Sequence, residues 1–206
     1  MANDCLPLFP LNVVLLPGAD LPLHIFEPRY RQMVRECLDD QSAFGILLAL
    51  PNGIAGIGCT AEILEVTKRY PDGRYDILTI GRSPFRVVEL DDSEALLRGE
   101  VDYLEDRPAP VPPRLRNDLQ ELYETCHTLV YGDYPRDLSA GEEYDISYCV
   151  AAKLPMDLLW KQRILELRSE AERQERLVAY LREWAPHLEK TTALRARAAG
   201  NGIGLN

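Results

Sequence analysis

No apolar run in these 206 residues is long enough to cross a bilayer. Cations are also short, with 23 Lys and Arg against 33 Asp and Glu, for a formal charge of −10. Residues 1–105 hold 9 basic and 17 acidic side chains, and residues 106–206 hold 14 and 16. A grip on nucleic acid phosphates or anionic lipid needs clustered positive charge, so this balance argues against both. The five cysteines, at 5, 37, 59, 126 and 149, are odd in number, and none has a Cys or His partner at zinc spacing. Neither a disulfide framework nor a structural metal site is indicated. Leu6 to Leu16 is mostly apolar, yet no Lys or Arg precedes Arg29, and Pro7, Pro10 and Pro17 interrupt it, unlike a secretory leader. These absences together predict a reduced, cytoplasmic, soluble protein.

Motifs that announce chemistry are missing too. There is no G-x-x-x-x-G-K-[ST] phosphate loop, G-x-S-x-G elbow or H-E-x-x-H helix. Gly53 to Gly58 is glycine-rich but lacks dinucleotide spacing, and a turn into the next strand accounts for it. His24, His127 and His187 have no metal-helix partners. His127 follows Cys126 directly, but adjacent side chains on a helix diverge, so they make a poor nucleophile–base pair. The paired acids Asp39-Asp40 and Asp91-Asp92 suit solvated element ends. Glu142-Glu143 and Glu170/Glu172 suit first helical turns, where the macrodipole favours anions. No catalytic residue, metal or cofactor is expected.

What the sequence does carry falls into two periodicities. Phe44 to Leu50 is a short apolar run, as in a strand buried on both faces. Gly58 to Thr67 and Arg74 to Ile80 flank Pro71-Asp72-Gly73, which predicts a hairpin. Phe85–Leu90 and Leu96–Leu104 read as two further strands. One helix interrupts them, with Pro28 at its first position and Tyr30, Val34, Cys37 and Leu38 on one face. The ribbon Leu6–Leu16, dense in proline, predicts edge strand and turn. After Arg107-Pro-Ala-Pro-Val-Pro-Pro113, an extended connector, the period becomes helical. Leu115, Leu119, Leu122, Cys126 and Leu129 form one seam. Ser139/Glu142 and Ser169/Glu172 are capping boxes, and Asp157 can open another helix. The last of these helices is expected to stop at Pro186, and short connections imply antiparallel neighbours.

Some of these strings together resemble the N-terminal substrate-binding domain of Lon proteases. They are Leu6-Pro-Leu-Phe-Pro-Leu11, Val13-Val-Leu-Leu-Pro-Gly18, Ile25-Phe-Glu-Pro-Arg-Tyr30, Gly56-Ile-Gly-Cys59, Asp72-Gly-Arg-Tyr75 and Lys161-Gln162-x-x-Leu165-Glu166. The resemblance covers roughly residues 5–185. It implies an α+β fold: a PUA-like β pseudo-barrel with one inserted helix, followed by an antiparallel α-helical bundle. The expected division is a barrel over 1–106, a connector over 107–113, a bundle over 114–190 and a disordered tail over 191–206. Pro84 and Ala95-Leu96 depart from the residues common in the family. Lon proteases carry ATPase and protease modules after this region, so a stand-alone module is expected here.

The resemblance further implies a non-catalytic role: recognising unfolded or degron-bearing polypeptide segments, with a protease or ATPase as an implied partner. Phe9, Leu16, Phe26, Arg29 and Tyr30 are the candidate contacts. The acid excess of the first half favours basic clients over acidic ones. Two other readings compete. A small hydrolase would need a reactive Cys126 or Cys149, and RNA binding of the PUA-like kind would need Arg69, Arg74, Arg82 and Arg86 on one face.

Overall fold

A computed structural model describes residues 4–135 and 145–200. Its elements in chain order are β1 (Asp4–Leu11), β2 (Asp20–Ile25), α1 (Pro28–Asp40), β3 (Phe44–Leu50), β4 (Gly53–Ile54), β5 (Ile57–Arg69), β6 (Tyr75–Asp91) and β7 (Arg98–Tyr103). Four helices follow: α2 (Pro113–Tyr131), α3 (Ile146–Lys153), α4 (Leu158–Glu166) and α5 (Glu170–Gly200). Antiparallel pairing runs β1–β7–β6–β5–β3, and a parallel pairing of β3 with β1 closes the ring. β2 lies outside the ring, antiparallel to the first part of β6.

β1 is therefore not an edge strand, despite its prolines. It pairs with β7 over Asp4–Pro7 and with β3 over Leu8–Leu11. Changing partner between Pro7 and Leu8 leaves each proline with a partner strand on one side, which a residue without an N–H tolerates. The hairpin forms as its turn residues dictate. Gly73 takes φ 85° and its N–H donates to the Tyr70 carbonyl at 3.0 Å. The two strands expected on either side of residue 83 are one, β6, with its register shifted where Pro84 faces Cys59.

β3 is buried on both faces, and its alternation feeds two cores. Leu47 joins Leu6, Leu8, Phe85 and Val101 in one small cluster. Phe44, Ile46 and Leu48 join a larger one with Met33, Val34 and Cys37 of α1 and the apolar seams of the helices. The first cluster is tight. A methyl on Gly45 would lie 2.6 Å from the Phe85 ring, and one on Gly58 would lie 2.3 Å from the Ile46 carbonyl oxygen.

The helical half mixes expectation and surprise. Asp157 caps α4, accepting from the N–H groups of Leu159 and Trp160 at 2.9 and 3.3 Å. Ser139 and Glu142 lie outside the described residues. α5 does not stop at Pro186 but continues to Gly200, so residues 191–200 are helical rather than tail. Its outer turns are held against α2, where the Thr192 hydroxyl donates to the Leu129 carbonyl at 3.2 Å. Such packing offsets the one backbone hydrogen bond that a proline removes. Arg182 meets Asp118 at 2.7 Å. These two contacts make α2 and α5 run side by side in the same direction. The antiparallel rule applies to chain neighbours, and α3 and α4 separate this pair.

Arg173 joins the two halves. Its side chain is fully buried, with the guanidinium 4.3 Å from the Tyr148 ring centre. It donates to Asp106, to Asp145 at 2.6 Å, to Glu170 at 3.2 Å, to the Ser147 hydroxyl at 2.9 Å and to the Leu167 carbonyl at 2.9 Å. Asp106 follows β7, Asp145 precedes α3, and Glu170 opens α5. Arg168 adds an ion pair to Asp106 at 3.4 Å. Gln162 of α4 also reaches across, donating to the Ile57 carbonyl at 3.0 Å.

Replacing Arg173 by Met strands three carboxylates together. We expect a loss of about 3 to 5 kcal/mol in urea unfolding, with Arg173→Lys recovering only part of it, because an ammonium cannot reproduce the planar fork.

Candidate functional site

Three of the five candidate contacts belong to the core. Phe9 stacks on Tyr30 with ring centres 3.9 Å apart, and Leu16 is 1% exposed. Burial raises the Tyr30 phenol above its ordinary pKa. Arg29 lies over the Tyr30 ring at 4.6 Å, pairs with Glu27 at 2.9 Å and donates to the Ala95 carbonyl at 3.2 Å. Phe26 stands out at 60% exposed, between the end of β2 and the start of α1. Phe26 and Arg29 are the members of the set that present side chains to solvent.

Phe26 has company. Its ring stacks with that of His24 at 6.1 Å, and His24 meets Tyr70 edge-on at 5.7 Å. Asp76, directly opposite His24 in the β2–β6 register, organises the group. One of its oxygens lies 2.5 Å from His24 Nδ1, and the other accepts from the Tyr70 hydroxyl at 2.8 Å. The hydrogen bonds from His24 and then Tyr70 hold the Asp76 carboxyl below its usual pKa. Lys68 and Arg74 each lie over the Tyr70 ring, at 4.6 and 4.7 Å. Arg31 on α1 donates to the Asp72 carbonyl at 2.5 Å, tying the hairpin tip to the helix. The result is an exposed aromatic surface made of β2, the hairpin tip and the start of α1. The turn string signalled the hairpin, but only the pairing of β2 with β6 brings His24 to Asp76.

The chemistry the other readings need is not assembled among the described residues. Cys126 is fully buried, and burial pushes its thiol up to about 11. Burial raises Cys37, Cys59 and Cys149 as well. His127 turns its Nδ1 to the Asp133 carbonyl at 3.2 Å. Arg69 and Arg74 sit at the hairpin tip, whereas Arg82, paired with Glu62 at 2.7 Å, and Arg86 lie well along β6. At about 3.4 Å per residue, that separates the cations into two places. No described helix is long and apolar enough to cross a membrane, and no group of described His, Cys, Asp and Glu residues could hold a metal ion.

Three outcomes follow from this arrangement. A soluble thiol reagent at neutral pH should modify the exposed Cys5 within minutes and leave the four buried thiols untouched until the protein is denatured. Phe9→Ala should cost about 3 to 5 kcal/mol in denaturant unfolding, as a core residue does. The depressed Asp76 carboxyl contributes stability at pH above its unfolded value, lost as pH falls through the lower folded one. Asp76→Asn should therefore flatten the acid limb of a stability–pH profile.

The sequence matches the family described as the ATP-dependent protease La (LON) substrate-binding domain over residues 5–183. A Lon protease of Parabacteroides distasonis is 27% identical over 199 residues, covering 87% of this chain and 24% of that protein. Protein cereblon of Xenopus tropicalis is 32% identical over 114 residues, 52% of this chain and 25% of its own. The chain thus spans about a quarter of the length of these curated relatives. Among solved structures, the Lon N-terminal domain protein from Xanthomonas campestris superposes with a TM-score of 0.67 at 29% identity, covering 86% of this chain and 98% of that one. The N-terminal domain of a Mycobacterium avium complex Lon protease, at 16% identity and a TM-score of 0.60, shares the fold. With most of its length matched and the ring, inserted helix and helical region in place, this chain belongs to the Lon substrate-binding domain family.

Proposed function

We propose that this chain binds extended polypeptide segments of other proteins without transforming them, and that bound clients pass to an ATP-driven protease. The observation that carries the reading is Phe26. A phenylalanine 60% exposed, next to His24 and Tyr70, is an apolar contact surface that the fold itself does not use. The family description as a substrate-binding domain supports the same role.

Energetics set the character of the contact. Covering an aromatic patch of about 200 Å² at roughly 25 cal/mol per Å² gives about 5 kcal/mol before the cost of ordering the client. Binding of a single segment is then weak and short-lived, which suits a device that samples many chains.

The test is fluorescence anisotropy with a labelled, permanently unfolded polypeptide. Phe26→Ala should weaken binding about tenfold and leave the melting temperature in place. Unchanged affinity would remove this surface from the reading.

A further inference from the structure

Phe26 is not the only apolar group that the fold leaves in water. The register of β6 against β7 shifts between Val87 and Glu89, and Val88 falls in the shift. Val88 is 52% exposed and Leu90 46%. With Ile54, Ala55, Gly56 and Val87 they line a groove of about 310 Å³ between the end of β4 and β6. No charged side chain lines it, and the Val87 N–H donates to the Gly56 carbonyl at 3.0 Å, which ties its two sides together. Leu90 also stands in the wall of a second cleft, of about 360 Å³, with Glu89, Asp91, Asp92 and Glu100 around it. An apolar groove and an acidic cleft thus share one side chain.

The acidity is a local excess. Residues 86–105 hold seven Asp and Glu against two Arg. Arg86 stands opposite Asp102, and Arg98 stands opposite Asp91 and pairs with Glu36 at 3.1 Å. Arg29 reaches the Ala95 carbonyl from α1, but Glu27 holds its charge. No other Lys or Arg lies on β1, β4, β7 or the part of β6 beyond Pro84. Glu89 faces Glu100 directly across the β6–β7 ladder, and Glu100 faces Cys5 on β1. Like charges directly opposed in a sheet cost stability, and a cation seated between them relieves that cost.

We infer that this surface docks a basic, aliphatic segment of a partner protein, with Leu, Ile or Val in the groove and Lys or Arg in the acidic cleft. In an extended segment, residues i and i+2 point the same way about 7 Å apart, so the pattern Leu-x-Lys or Leu-x-Arg offers both groups at once. Charge decides the occupant. A neutral or acidic segment can fill the groove, but it leaves Glu89 and Glu100 facing each other; a basic one does not. The screening length is about 8 Å at physiological ionic strength, so the preference fades as salt rises. The inference goes beyond the role given to Phe26: no residue lining these clefts belongs to that surface, and each can fail without the other.

The experiment uses three labelled peptides: one built on Leu-x-Lys, one with Gln for each Lys, and one with Ser for each Leu. At low salt the first should bind at least fivefold more tightly than either of the others, and lose most of that margin at 0.5 M. At saturation it should slow modification of the exposed Cys5, which lines the acidic cleft, at least threefold. Glu89→Gln/Asp92→Asn should bring the Lys peptide down to the Gln peptide while the melting temperature holds or rises. Val88→Ser should weaken both of the Leu-containing peptides, and Phe26→Ala neither. Equal binding of all three peptides, or a Lys preference that survives Glu89→Gln/Asp92→Asn with Cys5 unprotected, would overturn the inference. So would loss of binding in Phe26→Ala, which moves the segment to the other surface. A concentration-dependent dimer that Val88→Ser dissolves, with no peptide bound, would overturn it in favour of a second copy of this chain. In each of these cases the response of the unfolded polypeptide to Phe26→Ala still decides the proposed function by itself.

Discussion

A guanidinium with no exposed surface holds this molecule together at its waist. Arg173 satisfies its donors with groups from the end of the barrel, the start of α3 and the start of α5, and lies against the Tyr148 ring. Taking the charge out of water is costly, and carboxylates at good geometry repay much of that cost. What the network adds beyond energy is arrangement. A buried charge tolerates few alternative positions, because any shift leaves a partner unpaired in a poorly polarisable interior. The barrel, the connector and two helices are thus fixed to a common point, and the continuous apolar cluster from Phe44 to Leu181 forms around that alignment.

Much of the architecture is legible in the residues because it is local. Pro71-Asp72-Gly73 specifies its turn, Pro28 starts α1, Asp157 caps α4, and the unbroken apolar run of β3 announces burial on both faces. What is not legible depends on partners distant in sequence. Nothing in Leu6–Leu11 tells that a strand with two prolines will change neighbours midway and close a ring. Nothing around Pro186 tells that α2 will support the helix beyond it. Arg173 reads as an ordinary surface arginine in an amphipathic helix until Asp106 and Asp145 are brought to it.

The candidate site follows the same division. Apolar density in the ribbon from Leu6 to Tyr30 draws attention to Phe9, Leu16 and Tyr30, but density alone does not separate core from surface. Phe9 and Tyr30 stack on each other, and Leu16 packs where β2 and β6 pass, its carbonyl oxygen 2.2 Å from where a methyl on Gly81 would stand. Phe26 escapes because it falls at the junction between β2 and α1, where neither element turns it inward. Its surroundings are set by a cross-strand register. That is why the sequence neither separates the exposed Phe26 and Arg29 from the three buried candidates nor reveals His24, Tyr70 and Asp76 around them.

Closure of the ring by its first strand has a consequence for how the chain is made. β1 emerges from the ribosome before its neighbours, and its second partner, β7, comes after all the other strands. At ordinary elongation rates that is a wait of roughly 5 to 20 seconds, during which Leu6 and Leu8 have no interior to enter. A segment whose mature role is to be hidden thus spends its early life as bare apolar polypeptide.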